Sequence, residues 1–413
     1  MNSFSGEEPT PVKPQTLPQR PVSLWLLTML ALSGTVGMYI FVPALPLAAH
    51  DLGASPLALQ LTISLYIAGL AAGQLVYGPA SDRFGRRPVL MAGLLLFTCA
   101  SLVASWAASV DVLLAARLVQ GFGGSVGLVL GRAMVRDTAG FGDMARRLAL
   151  MNMMVTIGPG IAPILGAVLA ASLGWRSILF ALALLGLANL LFGWLKLHET
   201  RPTPDAGAAS WVNLRYGYGQ LLRSPVFLAY AVGGGFATTS VYGFFAAAPF
   251  ILGQQMQRSG HEVGLFLTMQ VSGLWFGSLL ATRLIPRHAL HVLVVVASAV
   301  CLLTGAAFLA MAALDALNLL GVAAVMFLFT VGVGLAAPTA LALAINVRPS
   351  VAGAASGIYG FSQMAVGAVC SALVGLGSNP AISTGLVLVA AGVISQVSFR
   401  VAGAAQANAM SSR

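Results

Sequence analysis

Charge is what this chain lacks most. Only 8% of its 413 residues are Asp, Glu, Lys or Arg, where soluble globular proteins carry about a quarter. A soluble multidomain protein is therefore excluded, and so is a disordered or collagen-like chain. Cysteine is nearly absent as well. Cys99, Cys301 and Cys370 fall in apolar runs at irregular spacing, which suggests neither a disulfide framework nor a metal site and reads as helix packing. Nothing resembles a phosphate-binding P-loop, so ATP is not the expected energy source.

What the chain has instead is apolar length. It is 58% hydrophobic with 47 glycines, and its mean hydropathy is +0.90. Near-continuous apolar runs separated by short basic clusters specify an all-α polytopic membrane protein, the runs being too long for barrel strands. Dividing 413 residues by twelve spans gives about 34 residues per span and loop, a workable spacing for a helical bundle. The runs predict helices over 22–48, 56–80, 88–108, 111–134, 146–171 and 175–196, then 225–252, 262–284, 288–313, 316–345, 350–376 and 380–402. Residues 1–21 and 403–413 read as cytoplasmic tails, 22–197 and 225–402 as two six-helix bundles, and 198–224 as a cytoplasmic linker. A cleaved signal peptide is disfavoured, because the first apolar run is longer than a signal core and leads into many more.

The net charge of +10 would suggest nucleic acid if it sat on one soluble domain. Here it punctuates spans and is explained by topology, so no nucleic-acid partner is expected. With the N-terminus inside, the outer loops hold only Arg176 and Arg258, Arg117 and Arg132 lie within or at the edge of helix 4, and the other basic residues are cytoplasmic. That asymmetry predicts both termini in the cytoplasm. Six spans on each side of a polar linker suit a transporter of two parallel repeats with a substrate path between them. The basic pair Arg283 and Arg287 echoes Arg83 and Arg87, without a matching aspartate.

Between helices 2 and 3 stands Gly78-Pro79-Ala80-Ser81-Asp82-Arg83-Phe84-Gly85-Arg86-Arg87-Pro88. Glycines permit a tight turn and close helix approach, and Asp82 can pair with arginines or an exposed helix N-terminus. Helix 4 contains Arg117, Gln120, Gly121 and Gly123, and helix 5 contains Gly158-Pro159-Gly160, Pro163 and Gly166. Proline removes a helix hydrogen bond and glycine admits a neighbouring backbone, so helix 5 is a bending or sliding element. In this order the three runs resemble the signature loop, the arginine–glycine motif and the antiporter motif of the major facilitator superfamily. Val42-Pro43-Ala44-Leu45-Pro46, Gln60, Gln74, Arg132 to Asp137 and Gly174-Trp175-Arg176 are similar to its drug/proton antiporters with 12 spans, in particular the bicyclomycin and chloramphenicol exporters. The similarity is dense over 39–200 and sparse afterwards, the best later stretch being Gly353 to Met364.

The resemblance implies efflux of small, fairly apolar, drug-like compounds by alternating access, driven by protons, from a bacterial inner membrane. It further implies a monomer, and a loop in which Asp82 and its arginines stabilise the outward-facing state. One departure matters: many of these exporters carry an aspartate in helix 1 where this chain has Tyr39. All 11 acidic residues fall at helix ends, in loops or in a tail, which argues against strongly cationic substrates. A protonation site would then be an acid near a helix end, such as Asp51 or Asp111.

Arg117 is the charge expected inside the bundle, binding a substrate group or satisfied structurally by carbonyls and glutamines. Further cavity candidates are Tyr39, Asn152, Tyr242, Gln270, Tyr359 and Gln363, with Met153, Met154 and Met364 as adaptable apolar surface. Glycine pairs such as Gly69 with Gly73 and Gly273 with Gly277 mark close packing. The rival within transport is an importer or facilitator of a neutral or anionic metabolite. A membrane enzyme would need a buried His, Asp or Glu cluster and a receptor a soluble output domain, and the sequence offers neither.

Overall fold

A computed structural model describes residues 22–138, 144–200, 218–348 and 352–411. Among the described residues the regular structure is helical throughout. The first half comprises α1 (Leu24–Tyr39), α2 (Leu45–Asp51), α3 (Pro56–Phe84), α4 (Arg86–Ser105), α5 (Val110–Thr138), α6 (Met144–Leu173) and α7 (Trp175–Lys196). The second comprises α8 (Pro225–Thr239), α9 (Val241–Ala248), α10 (Gly260–Leu284), α11 (Leu290–Ala313), α12 (Leu319–Asn346), α13 (Ala352–Val374) and α14 (Pro380–Ser411). Eleven spans are long and apolar enough to cross a bilayer over described residues, and the apolar stretch Gly158–Leu173 belongs to α6, which supplies another. At 1.5 Å per residue, 30-residue α6 is about 45 Å long, ample for a hydrocarbon core of about 30 Å.

Two predicted helices are broken within their length. The run over 22–48 stops at Tyr39, makes a short 3₁₀ turn over Val42–Ala44 and resumes as α2. Pro43 and Pro46 explain the interruption, since each lacks an N–H and crowds the preceding turn. The run over 225–252 divides at Ser240, then changes to a π-helical turn over Pro249–Gln255. At the other extreme, α14 continues to Ser411, because the alanine-rich sequence after Phe399 favours helix beyond the apolar core. Most of the linker expected over 198–224 lies outside the described residues.

Starts are set by local chemistry. Ser55, Ser224 and Asn318 cap α3, α8 and α12 through their side chains, and Ser259 with Glu262 forms a reciprocal capping box on α10. Within the first half, α5 packs against α1, α3 and α4; in the second, α12 packs against α8, α10 and α11. The halves meet along two seams, α3 against α13 and α6 against α10.

Candidate functional site

The interface is closed by aromatic rings at the end where α1 stops. Tyr39, at the end of α1, meets Tyr242 of α9 edge-on with centroids 6.4 Å apart, and Phe245 at 5.4 Å. Tyr39 is only 7% exposed. Beside it, α3 runs along α13 from Gln60, next to Gly375, through a 3.0 Å hydrogen bond between Ser64 and Ser371, to Gln74, next to Gly360. Across the second seam, Gly264 of α10 sits against the Pro163 carbonyl and Ala167 of α6. Beyond this closure, Pro43, Pro46 and Leu47 face Pro249, Gly253, Gln254 and Arg258 across a pocket of about 280 Å³.

Of the residues expected to line a cavity, Tyr39 and Tyr242 meet, and Gln363 of α13 is bonded to the end of α8. Gln363 donates from Nε2 to Thr238 Oγ1 at 2.7 Å, and its carbonyl accepts from Thr239 Oγ1 at 2.8 Å. One turn on, Gly367 abuts the Tyr242 ring, and Met364 is partly buried beside the core. Two others point elsewhere. Gln270 is fully buried and donates to the Ala323 carbonyl of α12 at 3.3 Å. Tyr359 is buried against Gly234 within the second half, its hydroxyl unpartnered among the described residues. The side chains of Asn152 and Met153 lie outside the described residues, and Met154 accepts from Thr28 Oγ1 of α1 at 3.5 Å.

Arg117 is wholly enclosed. Its guanidinium lies 4.1 Å from the Tyr66 ring centroid and 5.4 Å from that of Phe41. It donates to Gln120 Oε1 at 2.5 Å and to the Gly37 carbonyl at 3.0 Å. Gln120 in turn donates to Ser101 Oγ of α4 at 2.6 Å. The charge thus joins α1, α3, α4 and α5 and presents no surface to a ligand in this conformation. On the same helix, Gly121 is required by close approach: an added Cβ would meet the Tyr66 carbonyl. Gly158 and Gly166 of α6 likewise face α1, the latter against the Ile40 carbonyl at the break of the first span, with Pro159 between them on the same helix.

The loop between α3 and α4 holds an ion cluster around a buried arginine. Arg86 is 2% exposed and pairs with Asp82 and Asp137, each at 2.8 Å, while also donating to Ser81 Oγ at 2.5 Å. Gly85 turns the chain at φ +93°, a conformation that glycine adopts without steric cost. The Glu199 carboxylate then accepts the backbone N–H groups of Arg86 and Arg87, both at 3.0 Å, supplying negative charge to the start of α4. Arg87 donates to the Trp194 carbonyl at 2.8 Å, and exposed Arg83 lies over the Phe84 ring. Gly78 differs from its motif partners, since an added Cβ there meets nothing within 4 Å; close approach is not its role here. Burial and the nearby Asp82 charge hold the Tyr218 phenol above its ordinary range, so the loop faces the start of the second half.

Sequence reasoning missed Asp137, Glu199, Ser64 and Ser371 as partners. For Asp137 there was a signal, its place in the run from Arg132; the two serines carry none. At the end of α2, Asp51 accepts from Trp175 Nε1 at 2.9 Å and pairs with Arg176, both through Oδ2.

The Major Facilitator Superfamily profile matches residues 26–372. The chain is 34% identical over 340 residues to a chloramphenicol resistance protein of Pseudomonas aeruginosa, covering 81% of this chain and 79% of that protein. It is 30% identical over 347 residues to the multidrug resistance protein MdtL of Escherichia coli, covering 83% and 86%. The MFS-type transporter YdgK of Bacillus subtilis is 28% identical over 381 residues, covering 91% and 94%. Among solved structures, a D-xylose–proton symporter superposes with a TM-score of 0.71 at 14% identity, covering 90% of this chain and 96% of that one. A bacterial homologue of the human lysosomal transporter Spinster gives 0.69 at 18% identity, covering 92% and 96%. Two helical halves meeting along paired seams, with the signature loop folded as a buried ion cluster, are what a profile match across most of the chain would require, and the chain belongs to the major facilitator superfamily of transporters.

Proposed function

We propose that this transporter exports small, fairly apolar, drug-like compounds by alternating access, drawing on the proton gradient as a monomer in a bacterial inner membrane with both termini cytoplasmic. The observation that carries the reading is the composition of the interface at Tyr39, Tyr242, Phe245, Gln363 and Met364. Rings and a thioether give adaptable apolar contact, while phenols and an amide supply a few hydrogen bonds. The chloramphenicol and multidrug resistance proteins of P. aeruginosa and E. coli named above support export as the direction of transport.

No carboxylate lies within this interface among the described residues, so neutral compounds are preferred to cations. The test is export from proteoliposomes under an imposed pH gradient, comparing neutral chloramphenicol with cationic ethidium. Gradient-dependent movement of chloramphenicol, lost when the gradient is collapsed, is the expected result; uptake toward the cytoplasmic side would favour an importer instead. That second reading draws on the same lack of carboxylates, which suits a neutral or anionic metabolite equally well.

A further inference from the structure

Basic side chains of the second half gather where α10 stops and α11 starts. Arg283 stands in the last turn of α10, Arg287 and His288 belong to the turn that follows, and all three are exposed. His291, in the first turn of α11, lies with its ring against Gly403 of α14. That contact brings exposed Arg400, three residues before Gly403, to the same place. Arg400 comes 20 residues after Pro380, where α14 begins, and so stands about 30 Å along the helix, about one hydrocarbon thickness from its start.

The same junction carries an aliphatic face. α11 packs mainly on α12 and α14, and α14 mainly on α8 and α11, which leaves each of them an outward flank. Val292 and Val296 of α11, and Val393, Val397 and Val401 of α14, are each about half exposed there. At about 100° per residue, Arg400 falls on the line of Val393, seven residues earlier. A cation thus ends a stripe of apolar side chains, as a headgroup ends its acyl chains.

No carboxylate of the second half can neutralise the cluster. From residue 225 onward the only acidic residues are Glu262 and Asp315. Both lie at the far ends of these helices, Glu262 in the first turn of α10 and Asp315 just after α11. The start of α11 adds to the positive field: no side chain caps it and its first turn holds no acid, so its first N–H groups remain for an anion. Charge bias across a membrane accounts for basic residues on one face, but not for their gathering with a bare helix start beside an aliphatic stripe. Guanidinium groups fit a phosphate through parallel hydrogen bonds.

We propose that the junction of α11 and α14 is a binding site for an anionic phospholipid, its phosphate held by Arg287, His288 and Arg400 and its acyl chains laid along the valine face. The site requires only that the chain spans a membrane, and it is independent of the substrate and of the direction of transport.

The test titrates the purified full-length protein in neutral detergent with palmitoyl-oleoyl phosphatidylglycerol or with phosphatidylcholine of the same chains, and reads bound lipid by native mass spectrometry. Wild type binds phosphatidylglycerol about tenfold more tightly. Arg400→Gln and Arg287→Gln each lower that preference about fivefold, the scale of one cation at a lipid surface, and Arg400→Lys keeps part of it. Lys196→Gln, which removes an exposed charge at the end of α7, leaves the preference within about twofold of wild type. Thermal melting without lipid shows whether each variant is folded, and Arg287→Gln carries the test if Arg400→Gln is not. Absence of a headgroup preference in wild type, its survival in both glutamine variants, or an equal loss in Lys196→Gln overturns the proposal. Displacement of the lipid by millimolar glycerol 3-phosphate would mark a site for soluble phosphates and overturn it as well. Because no transport is measured, failure here leaves the export reading standing, and failure of export leaves the lipid site standing.

Discussion

Replacing Asp82 by Asn tests the ion cluster between α3 and α4 at its weakest point. Arg86 is 2% exposed and held by two carboxylates, of which Asp82 is 29% exposed and Asp137 19%. A hydrogen bond to a charged group contributes about 1.5–3 kcal/mol, reduced where water screens it, so Asp82→Asn should cost about 1–2 kcal/mol. Arg86→Ala should cost about 3–5 kcal/mol, because Asp82 and Asp137 are left beside one another without their shared cation. The cluster is formed here while the Tyr39 end is closed, so its loss must destabilise this conformation. Thermal melting in detergent gives the ranking, and thiol accessibility from either side of the membrane gives the balance of states. A loss of 1–2 kcal/mol confined to one conformation would change the populations roughly tenfold. The reasoning fails if Asp82→Asn melts like wild type with unchanged accessibility, or if Arg86→Ala is no worse than Asp82→Asn.

Gly166→Leu should abolish transport and lower the melting temperature, because the Ile40 carbonyl already occupies the space of a Cβ, whereas Gly78→Ala should be neutral in the same assays. Glu199→Ala removes both acceptors from the start of α4 and should cost about 1–3 kcal/mol by melting, with Glu199→Gln recovering part of it. Export should fall at least about tenfold in Arg117→Ala but less than about twofold in Asp51→Asn or Asp111→Asn, each corrected for expression; abolition by one acid replacement would identify that acid as the proton carrier. Cysteines introduced at Ser259 and His288 should be labelled from opposite sides of the membrane, and labelling of both from one side would overturn the orientation.

The spans were legible because apolar length is a local property of the chain. Their breaks were half legible: Pro43, Pro46 and Pro249 are visible, but where each ladder stops depends on what packs there, such as Gly166 against Ile40. The signature loop was legible in its Asp82 and arginines, and opaque in the partners that complete it, since Asp137 and Glu199 arrive from other helices. Of the interface residues, Tyr39, Tyr242 and Gln363 stood out as polar or aromatic groups within apolar runs. Gln270 and Tyr359 stood out in the same way but point into packed seams of the second half, a choice made by helix rotation and invisible in composition.

The closure at Tyr39 bears on how the transporter responds to the surrounding solution. Tyr39 meets Tyr242 and Phe245, and Ser64 meets Ser371. Among the described residues no ion pair crosses that seam; Asp51 with Arg176 and Arg258 with Glu262 each stay within one half. Aromatic contacts and neutral hydrogen bonds are hardly touched by dissolved salt, which acts on separated charges over a Debye length of about 8 Å at physiological ionic strength. The gate at Tyr39 should therefore open with the same ease at low and at physiological ionic strength, so that the step is indifferent to screening.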